Sequence, residues 1–464
     1  MTPAAPAHPA PLLLEQLGPR PSAAITAWLA DRLSALIGEG RIPHGSRLPS
    51  ERVLAAHLGL TRGTVVRALA VLEERGLLVA RQGSGRIVRL PRDVPRPVES
   101  LAVRTEPAPP GTIDLRATVL PPHRRTEEAA RTAVEGIGRD PARGTAPAHG
   151  LPELLEAICG HYARRGLPTS PEQITVTTGA VSGLHLALRA VTAPADRVGL
   201  ETPGYPNTAR VVREAGRRIV PLDAIASAAA TAEVLASGGL SAALLTPDFH
   251  NPTGRLRDAA ERDRLLAAAR RGGTALIVDE TLVDMNWRRI PLPPPMLRPG
   301  TGEPVLLVGS ASKSLWAGLR IGWIRAPREI TATIGRVRLG VDLGAAIIEQ
   351  RIAAALLGEG TDPGVLAQVA QQHRTLRQGL AEHLPHWRAP EADGGLSLWC
   401  TGLRQDSAAL ATRAIPLGVV LSPGGLFSAT PAGGRRAVRL PFSAPADQLA
   451  QALAVLGRLE ADAT

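Results

Sequence analysis

Six prolines between residues 91 and 112 divide this chain into two blocks. Proline fixes φ and lacks a backbone donor, so neither a long helix nor a central strand can run through such a segment. We therefore predict an extended, semi-rigid linker over residues 91–112. It separates a short block, residues 22–90, from a long block, residues 113–464, and each is long enough to bury a core. Residues 1–21 are predicted to be a disordered tail.

The short block has the pattern of a winged helix-turn-helix. Apolar residues at helical spacing predict a first helix over residues 25–37. A second helix is predicted to start at Leu48-Pro49-Ser50 and to carry Arg47 and Arg52, and Thr61 is a suitable N-cap for a third. Two short apolar runs, on either side of a glycine-rich turn with basic flanks, then predict a β-hairpin wing.

Positive charge is concentrated in the short block. Residues 20–92 contain 12 arginines and 5 acidic residues, a net of +7 out of +11 for the whole chain. In a helix-turn-helix the N-terminal residues of the third helix contact base edges, and Arg62 can donate two hydrogen bonds to guanine. The candidate DNA contacts are Arg47, Arg52, Thr61, Arg62, Gly63, Thr64, Arg81 and Arg86. A solvated arginine surface on a small helical module would give the same charge, and that alternative stays open.

Short apolar strands alternate with amphipathic helices along the long block, which is the α/β pattern. The predicted strands are Ile174–Thr177, Val198–Leu200, Ala242–Leu245, Ala275–Val278, Val305–Val308 and Ile321–Ile324. Beyond about residue 340 the chain is first helix-rich and then carries short apolar runs near Ser397–Trp399 and Val438–Leu440. We predict an α/β domain whose last part, about residues 340–464, forms a smaller α+β subdomain.

Of the 53 Lys+Arg residues, only Lys313 is a lysine. Guanidinium stays protonated and forms no stable Schiff base, whereas an ε-amine can lose its proton and condense with an aldehyde. A chain that uses arginine everywhere else and keeps one lysine suggests a covalent role for it. Chance survival in a composition-biased chain is the alternative, and the neighbouring residues decide between the two.

Those neighbours suit an aldehyde cofactor that carries a phosphate. Ser310, Ser312 and Arg320 lie close to Lys313 in the sequence and offer hydroxyl and guanidinium donors to a phosphate. Residues 179–181 (Gly179, Ala180 and Val181) open a predicted helix after a strand, where backbone N–H groups bind anions.

Three further residues follow the ends of predicted strands, the edge at which open α/β sheets bind ligands. Asp279 suits a pyridinium N–H, Asn251 suits a ring hydroxyl, and Tyr205 suits stacking on the ring. Taken singly, Asp279 fits a helix cap, Asn251-Pro252 fits a turn and Tyr205 fits a core. Their order around the one lysine favours a cofactor site.

Two motifs give the short block a family resemblance. Ser46-Arg47-Leu48-Pro49-Ser50-Glu51-Arg52 and Leu60-Thr61-Arg62-Gly63-Thr64-Val65 resemble the GntR family of winged-helix regulators, over the whole of residues 22–90. The resemblance implies that Arg52, Arg62, Gly63 and Thr64 contact DNA.

The long block resembles fold-type I aminotransferases from about residue 113 to the end. This resemblance implies pyridoxal 5'-phosphate as cofactor, with Lys313 as its aldimine lysine and Asp279 at the pyridine nitrogen. It places Asn251 at the ring oxygen and Tyr205 on the ring. The remaining implied contacts are Ala180, Val181, Ser310, Ser312 and Arg320 at the phosphate, and Arg439, in Val438-Arg439-Leu440-Pro441-Phe442, at a substrate carboxylate.

A GntR-like reader fused to an aminotransferase-like domain is similar to the MocR subfamily of bacterial regulators. That resemblance implies an operator in double-stranded DNA and a domain-swapped homodimer. The expected function is transcription regulation, with the large domain sensing pyridoxal phosphate, an amino acid or an amine. A working aminotransferase that carries a DNA-binding module is the alternative function, and a regulator with an empty, vestigial site is disfavoured by the retention of Lys313.

Two departures from the family pattern concern the cofactor. The family has a tyrosine two positions after the aspartate, where this chain has Thr281, a candidate contact to the ring oxygen. The family often has a tyrosine before the helix at Leu151, whereas residues 144–147 here read Gly-Thr-Ala-Pro. We expect cofactor binding to persist and overall transamination to be slow or absent.

Composition excludes some classes of protein. Two cysteines, Cys159 and Cys400, provide neither a disulfide framework nor a metal cluster, which fits a reducing compartment. The apolar run Leu12-Leu13-Leu14 is too short for a signal peptide or a membrane segment, so a cytoplasmic location is predicted.

Overall fold

The computed structural model describes residues 24–38, 46–81, 85–88, 111–116, 118–137, 149–297, 305–430 and 433–463, together with Leu13, Leu17, Pro21 and Ile42. Most of the predicted tail and linker lies outside these residues, as do residues 144–147. The chain divides into two compact units. The first unit joins residues 1–118, 372–390 and 398–464, and the second joins residues 119–371 and 391–397.

Helices and strands alternate over most of the described chain. The helices are α1 Ile25–Gly38, α2 Glu51–Leu58, α3 Arg62–Glu74, α4 Thr126–Glu135, α5 Pro152–Arg164, α6 Ala180–Val191, α7 Pro206–Glu214, α8 Ala228–Ala236, α9 Ala259–Gly272, α10 Arg328–Arg338, α11 Ile347–Leu357, α12 Pro363–His383, α13 Ser407–Ala414 and α14 Ala446–Ala461. The strands are β1 Leu78–Arg81, β2 Gly85–Val88, β3 Ile113–Leu115, β4 Ile174–Thr177, β5 Arg197–Thr202, β6 Arg218–Asp223, β7 Ala242–Leu245, β8 Ala275–Asp279, β9 Val305–Ser310, β10 Gly322–Arg325, β11 Ser397–Thr401, β12 Val419–Pro423 and β13 Ala437–Pro441.

A winged helix-turn-helix forms the N-terminal part of the first unit, as the sequence predicts. The Ser50 hydroxyl accepts from the amide of Val53 at the start of α2, and the Thr61 hydroxyl accepts from the amide of Thr64 at the start of α3. These side chains satisfy donors that a helix N-terminus leaves open. β1 and β2 then pair antiparallel as the wing.

The core of the winged helix includes two residues of the segment predicted to be disordered. Leu13 and Leu17 are helical, are 0% and 1% exposed, and pack among the buried residues of α1, α2, α3 and the wing. For these two residues the expectation of disorder is wrong, because an apolar pair at i, i+4 spacing presents one face to a core. The core extends further towards the N-terminus than Ile25.

A four-stranded sheet belongs to the C-terminal part of the first unit. Its strand order is β11-β13-β12-β3, and β3 pairs parallel to β12. The first strand after the predicted linker therefore joins a sheet built mainly from residues beyond 397. The expectation of short strands near residues 397–399 and 438–440 is confirmed, whereas β3 and β12 were not predicted.

Within the first unit, α1 of the winged helix packs against α13. Arg32 of α1 is 4% exposed, and its Nη1 lies 3.7 Å from Oδ2 of Asp406, the N-cap of α13. The same Oδ2 accepts from Nε of Arg435 at 2.9 Å. Within the winged helix, Arg75, the C-cap of α3, donates to Asp31 of α1 at 2.9 Å. The ion pair of Arg32 with Asp406 thus links the winged helix to the C-terminal part of its own unit.

The second unit is built on a seven-stranded sheet with the order β4-β10-β9-β8-β7-β5-β6. β10 runs antiparallel to both β4 and β9, and the remaining neighbours are parallel. The central strands are buried along nearly their whole length because helices cover a parallel sheet on both faces. The predicted strands are all present. β6 was missed because its exposed Arg218 and its Pro221 obscure the apolar pattern of an edge strand.

Candidate functional site

The carboxyl end of β4 and the start of α6 form a tight turn around Gly179. Gly179 has a φ of +100°, in the region that favours glycine. A Cβ there would lie 2.8 Å from Nη2 of Arg320, and a Cβ on Gly322 would lie 2.8 Å from the amide nitrogen of Ala180. The guanidinium of Arg320 therefore reaches the N-terminus of α6, where backbone N–H groups and the helix dipole favour an anion.

Strand β10 brings two serines and Arg320 to the same edge of the sheet. Its first residue, Gly322, is paired with Thr177 of β4 on one side and with Ser310 of β9 on the other. The amide of Ser312 donates to Ser310 Oγ at 3.1 Å, within the turn that leads from β9 to Lys313. These residues are more than 100 positions from Gly179 in the sequence, and the pairing of β10 with β4 and β9 brings them to the same edge of the sheet.

Asp279 is the last residue of β8, and it pairs with Val308 of the neighbouring strand β9. Its carboxylate Oδ1 accepts from the amide of Thr281 at 2.9 Å. Burial raises the pKa of Asp279 above its usual range, and hydrogen bonds from Thr281 partly offset that rise. A carboxyl in such a place gains from a neighbouring cation or N–H donor.

Tyr205, His250 and Asp279 line one small cavity of about 10 Å³. Tyr205 is the N-cap of α7, and its hydroxyl accepts from Asn207 Nδ2 at 2.7 Å. The neighbouring Asn251 Oδ1 and His250 Nε2 are buried and have no hydrogen-bond partner among the described residues. Burial lowers the pKa of His250, which favours the neutral form of its ring. Buried polar atoms without a partner are costly, and a polar ligand at this edge of the sheet would supply the missing partner.

Arg439 lies on β13 in the first unit, whereas the residues above all belong to the second. It is 2% exposed, donates to the backbone oxygen of Arg116, and places its guanidinium 5.1 Å from the ring centre of Phe427. Arg116 is itself held by Asp114 through two contacts of 2.8 Å. Arg439 is thus a buried, well-supported cation, and its contact with a carboxylate remains a prediction.

The predicted DNA contacts of the winged helix are mostly exposed. The exposed ones are Arg47, Arg52, Thr61, Arg62 and Gly63, whereas Thr64 is half-buried. A Cβ on Gly63 would meet nothing closer than 3.9 Å, so the fold itself does not require glycine in this first helical turn. The side chain of Arg81 lies outside the described residues.

Arg47 does not lie on the second helix, contrary to the sequence prediction. It forms an isolated antiparallel bridge with Ile87 of the wing, and α2 begins only at Glu51. Pro49 explains the difference, because the residue before a proline is disfavoured in the helical conformation and Ser50 then serves as the N-cap.

Arg86 is engaged inside the protein rather than free on the wing surface. Its Nε donates to Glu73 Oε1 at 2.6 Å, and its Nη1 donates to Glu51 Oε1. Its side chain is 21% exposed. The prediction of a DNA contact from Arg86 treated it as a free surface charge, whereas two carboxylates already pair with it. The contact with DNA itself stays a prediction.

Comparison with known proteins assigns each of the two blocks to a family. Residues 119–456 match the family described as aminotransferase class I and II, and residues 26–88 match bacterial regulatory proteins of the gntR family. The chain is 30% identical to the HTH-type pyridoxine biosynthesis transcriptional regulator PdxR of Corynebacterium glutamicum, over 82% of this chain and 84% of that protein. It is 26% identical to the probable rhizopine catabolism regulatory protein MocR of Rhizobium meliloti, over 80% of each.

The chain belongs to the MocR subfamily of GntR-type transcription regulators. The long block of the chain has the fold of the aminotransferases. LysN, an α-aminoadipate aminotransferase from Thermus thermophilus, superposes with a TM-score of 0.68 at 24% identity, covering 80% of this chain and 96% of that one. The predicted fold class of this MocR-type regulator, a winged helix-turn-helix with a fold-type I aminotransferase-like domain, is confirmed. Among its described helices, none has the length and apolarity needed to cross a bilayer.

A buried network behind Asp279 of this MocR-type regulator was not predicted. Glu280, the next residue, accepts from the hydroxyl of Tyr162 at 3.1 Å and from Arg165 Nη2 at 2.8 Å. Trp323 Nε1 donates to the same tyrosine hydroxyl at 3.1 Å. Burial raises the pKa of Tyr162 well above its usual range, so its hydroxyl stays protonated and can donate. The signal available in the sequence was an acidic residue directly after a buried strand.

Proposed function

We propose that this MocR-type regulator binds pyridoxal phosphate through Lys313 and senses the cofactor, or an amino compound that reacts with it, to control operator binding. The contact of Arg320 with Gly179 at the N-terminus of α6 carries the proposal. It joins a guanidinium, backbone N–H groups and two serines at one edge of the sheet, which suits a phosphate.

The other residues of this edge fit the ring of the cofactor. When bound, pyridoxal phosphate supplies an aldehyde that condenses with amines and a ring that withdraws electrons. Asp279 would bind the ring nitrogen, and the positive charge there would offset the burial that raises the pKa of this carboxyl. Asn251 would satisfy its buried Oδ1 by accepting from the ring hydroxyl, beside Thr281, and Tyr205 would stack on the ring.

The proposed signal is a primary amine or the cofactor itself. Lys313 is the one ε-amine of the chain, and an amine ligand would compete with it. Arg439 would hold a carboxylate on such a ligand. The relative from Corynebacterium glutamicum is named for pyridoxine biosynthesis, which favours the cofactor as the signal. The Thermus thermophilus LysN was crystallised with a phosphopyridoxyl-leucine, which supports an amino acid as a ligand of this fold.

For the winged helix we propose sequence-specific binding to double-stranded DNA. Arg62 stands at the first position of α3 with its side chain 74% exposed, which suits bidentate contact with a guanine edge. Gly63 follows, where the protein leaves room that a DNA backbone can approach. Arg47, Arg52, Thr61, Thr64 and Arg81 would complete the contacts.

Covalent labelling tests the cofactor site. The purified protein, incubated with pyridoxal phosphate and reduced with borohydride, should carry the label on the peptide that contains residue 313. Because the chain has no second lysine, the terminal amine is the one competing aliphatic amine. Lys313→Arg keeps the charge and should abolish the label. A wild-type protein that labels only at its terminal amine would show that Lys313 is not the cofactor lysine.

Three further predictions of the resemblance accompany this proposal. Sustained transamination at enzyme-like rates, about 1–10³ per second, is not expected because Thr281 is too short to replace a tyrosine hydroxyl at the ring oxygen. A domain-swapped homodimer is expected from the family. A cytoplasmic location is expected of a protein that binds operator DNA.

A further inference from the structure

Glu51 stands at the centre of an ion-pair cluster in the winged helix. It is the first residue of α2, and its two carboxylate oxygens accept from different arginines. Oε2 lies 3.1 Å from Nε of Arg62, at the start of α3, and Oε1 accepts from Nη1 of Arg86, on β2. One carboxylate thus joins both helices of the helix-turn-helix to the wing.

The contact with Glu51 restrains Arg62 without covering it. Only 21% of the Glu51 side chain is exposed, against 74% of Arg62. The bond uses Nε and leaves the two Nη groups of the guanidinium for a partner outside the protein. A planar guanidinium held at one edge loses less rotamer freedom when its other edge binds a base.

Arg86 keeps Glu51 in place from the opposite side. Its Nε also donates to Glu73 of α3, at 2.6 Å, so Arg86 is held between two carboxylates. Hydrogen bonds from Arg86 and then from Arg62 keep the pKa of Glu51 below its usual range. The carboxylate is therefore ionised wherever the protein is folded near neutral pH.

A fixed negative charge beside a DNA-reading arginine opposes affinity, because it repels phosphates. The same charge favours selectivity. An arginine that is already paired gains little binding energy from a phosphate, whereas it can bind a base edge without leaving its partner. We propose that Glu51 is a positioning residue that directs Arg62 to a base edge and so sets the sequence specificity of this regulator. The proposal rests on the DNA-binding function proposed above.

The test compares Glu51→Gln with Glu73→Gln in the full-length protein. Both substitutions remove one carboxylate partner of Arg86 and one negative charge, but only the first releases Arg62. Wild type is first used to select sites from a random duplex library. Binding of each variant to the selected duplex and to a scrambled duplex is then measured over a range of salt concentrations.

For Glu51→Gln we expect weaker binding to the selected duplex and stronger binding to the scrambled one. The ratio of the two affinities should fall by about tenfold, the loss typical of one base contact. The salt dependence should steepen by about one counterion as Arg62 turns to a phosphate. Glu73→Gln should keep the wild-type ratio. In an Arg62→Ala background, Glu51→Gln should no longer change the ratio, whereas a merely structural role would persist there.

Equal ratios for Glu51→Gln and Glu73→Gln would overturn the proposal while leaving DNA binding intact. A wild-type protein that enriches no sequence would instead reject the proposed DNA reader, and this inference with it. If Glu51→Gln fails to fold, Glu51→Asp keeps the charge and shortens the reach to Arg62. Its ratio should then fall between those of wild type and Arg62→Ala, and an unchanged ratio would reject the proposal.

Discussion

Gly179 shows how one residue determines whether the proposed cofactor cradle can form. An alanine there would adopt a φ of +100°, which costs about 1–3 kcal/mol, and its Cβ would lie 2.8 Å from Arg320 Nη2. Arg320 would have to move away from the N-terminus of α6. We expect Gly179→Ala to weaken pyridoxal phosphate binding at least tenfold, measured by titration of the absorbance of the bound cofactor.

Gly166 provides a matched control for that prediction. It also has a positive φ, +75°, but a Cβ there would meet nothing within 4 Å. Gly166→Ala should lower stability by a similar backbone cost and leave cofactor affinity unchanged. Equal affinities for the two variants would mean that the contact between Gly179 and Arg320 has no part in binding.

The sequence predicts residues that carry their own chemical signal and misses those that act through distant partners. Lys313 and Asp279 could be proposed as cofactor residues because each stands at or just after the end of an apolar strand and has a group that suits one cofactor. Glu280 was missed because its partners, Tyr162 and Arg165, are more than 100 residues away. The pairing of Arg86 was missed for the same reason, since nothing local indicates that it pairs with Glu51.

At the scale of elements, the contact of α1 with α13 depends on a shared carboxylate. Asp406 Oδ1 caps α13 by accepting from the amide of Ala408 at 3.0 Å, while Oδ2 faces Arg32 and Arg435. Asp406→Asn keeps an oxygen for the cap and removes the charge. Because Arg32 is 4% exposed, we expect this change to destabilise the first unit by about 3 kcal/mol, measured by urea denaturation.

Asp258→Asn is the control for the contact of α1 with α13. Asp258 caps α9 by accepting from the amide of Glu261 at 2.8 Å, and its residue is exposed. Asparagine caps helices about as well as aspartate, so this variant should lose only a few tenths of a kcal/mol. If both variants denature at the same urea concentration, the buried charge of Asp406 does not hold α1.

Elements with a clear apolar pattern or a capping residue could be predicted from the sequence, and short elements could not. The strands at the centre of the second unit were found because they are apolar along their length, and α2 and α3 because Ser50 and Thr61 can cap them. β3 was missed because three residues carry too little periodicity. Its position next to β12 depends on pairing across about 300 residues, which local patterns do not encode.

At the scale of the whole molecule, cofactor chemistry in the second unit should alter operator binding by the first. A ligand shifts a conformational equilibrium only if it binds the two states with different affinity. We expect pyridoxal phosphate, alone or with an amino acid, to change operator affinity by about 1–3 kcal/mol, a range common for allosteric coupling. Fluorescence anisotropy with a selected duplex, with and without the cofactor and a panel of amines, measures this change.

Two variants separate coupling from a general effect of charge on DNA binding. Lys313→Ala should lose the response to cofactor. Arg336→Ala removes one positive charge from an exposed position on α10 and should keep it. One operator affinity for wild type under all ligand conditions would show that the second unit is not the sensor.

The placement of β3 means that the strands on either side of the proline-rich segment belong to one unit. β2, before it, and β3, after it, both belong to the first unit, and β3 is fixed there by its ladder with β12. Closing the loop between them costs entropy that grows only with the logarithm of its length, about 0.6 kcal/mol for each doubling. Flexible insertions in this segment should therefore change folding stability very little, so long as both ends still reach their places.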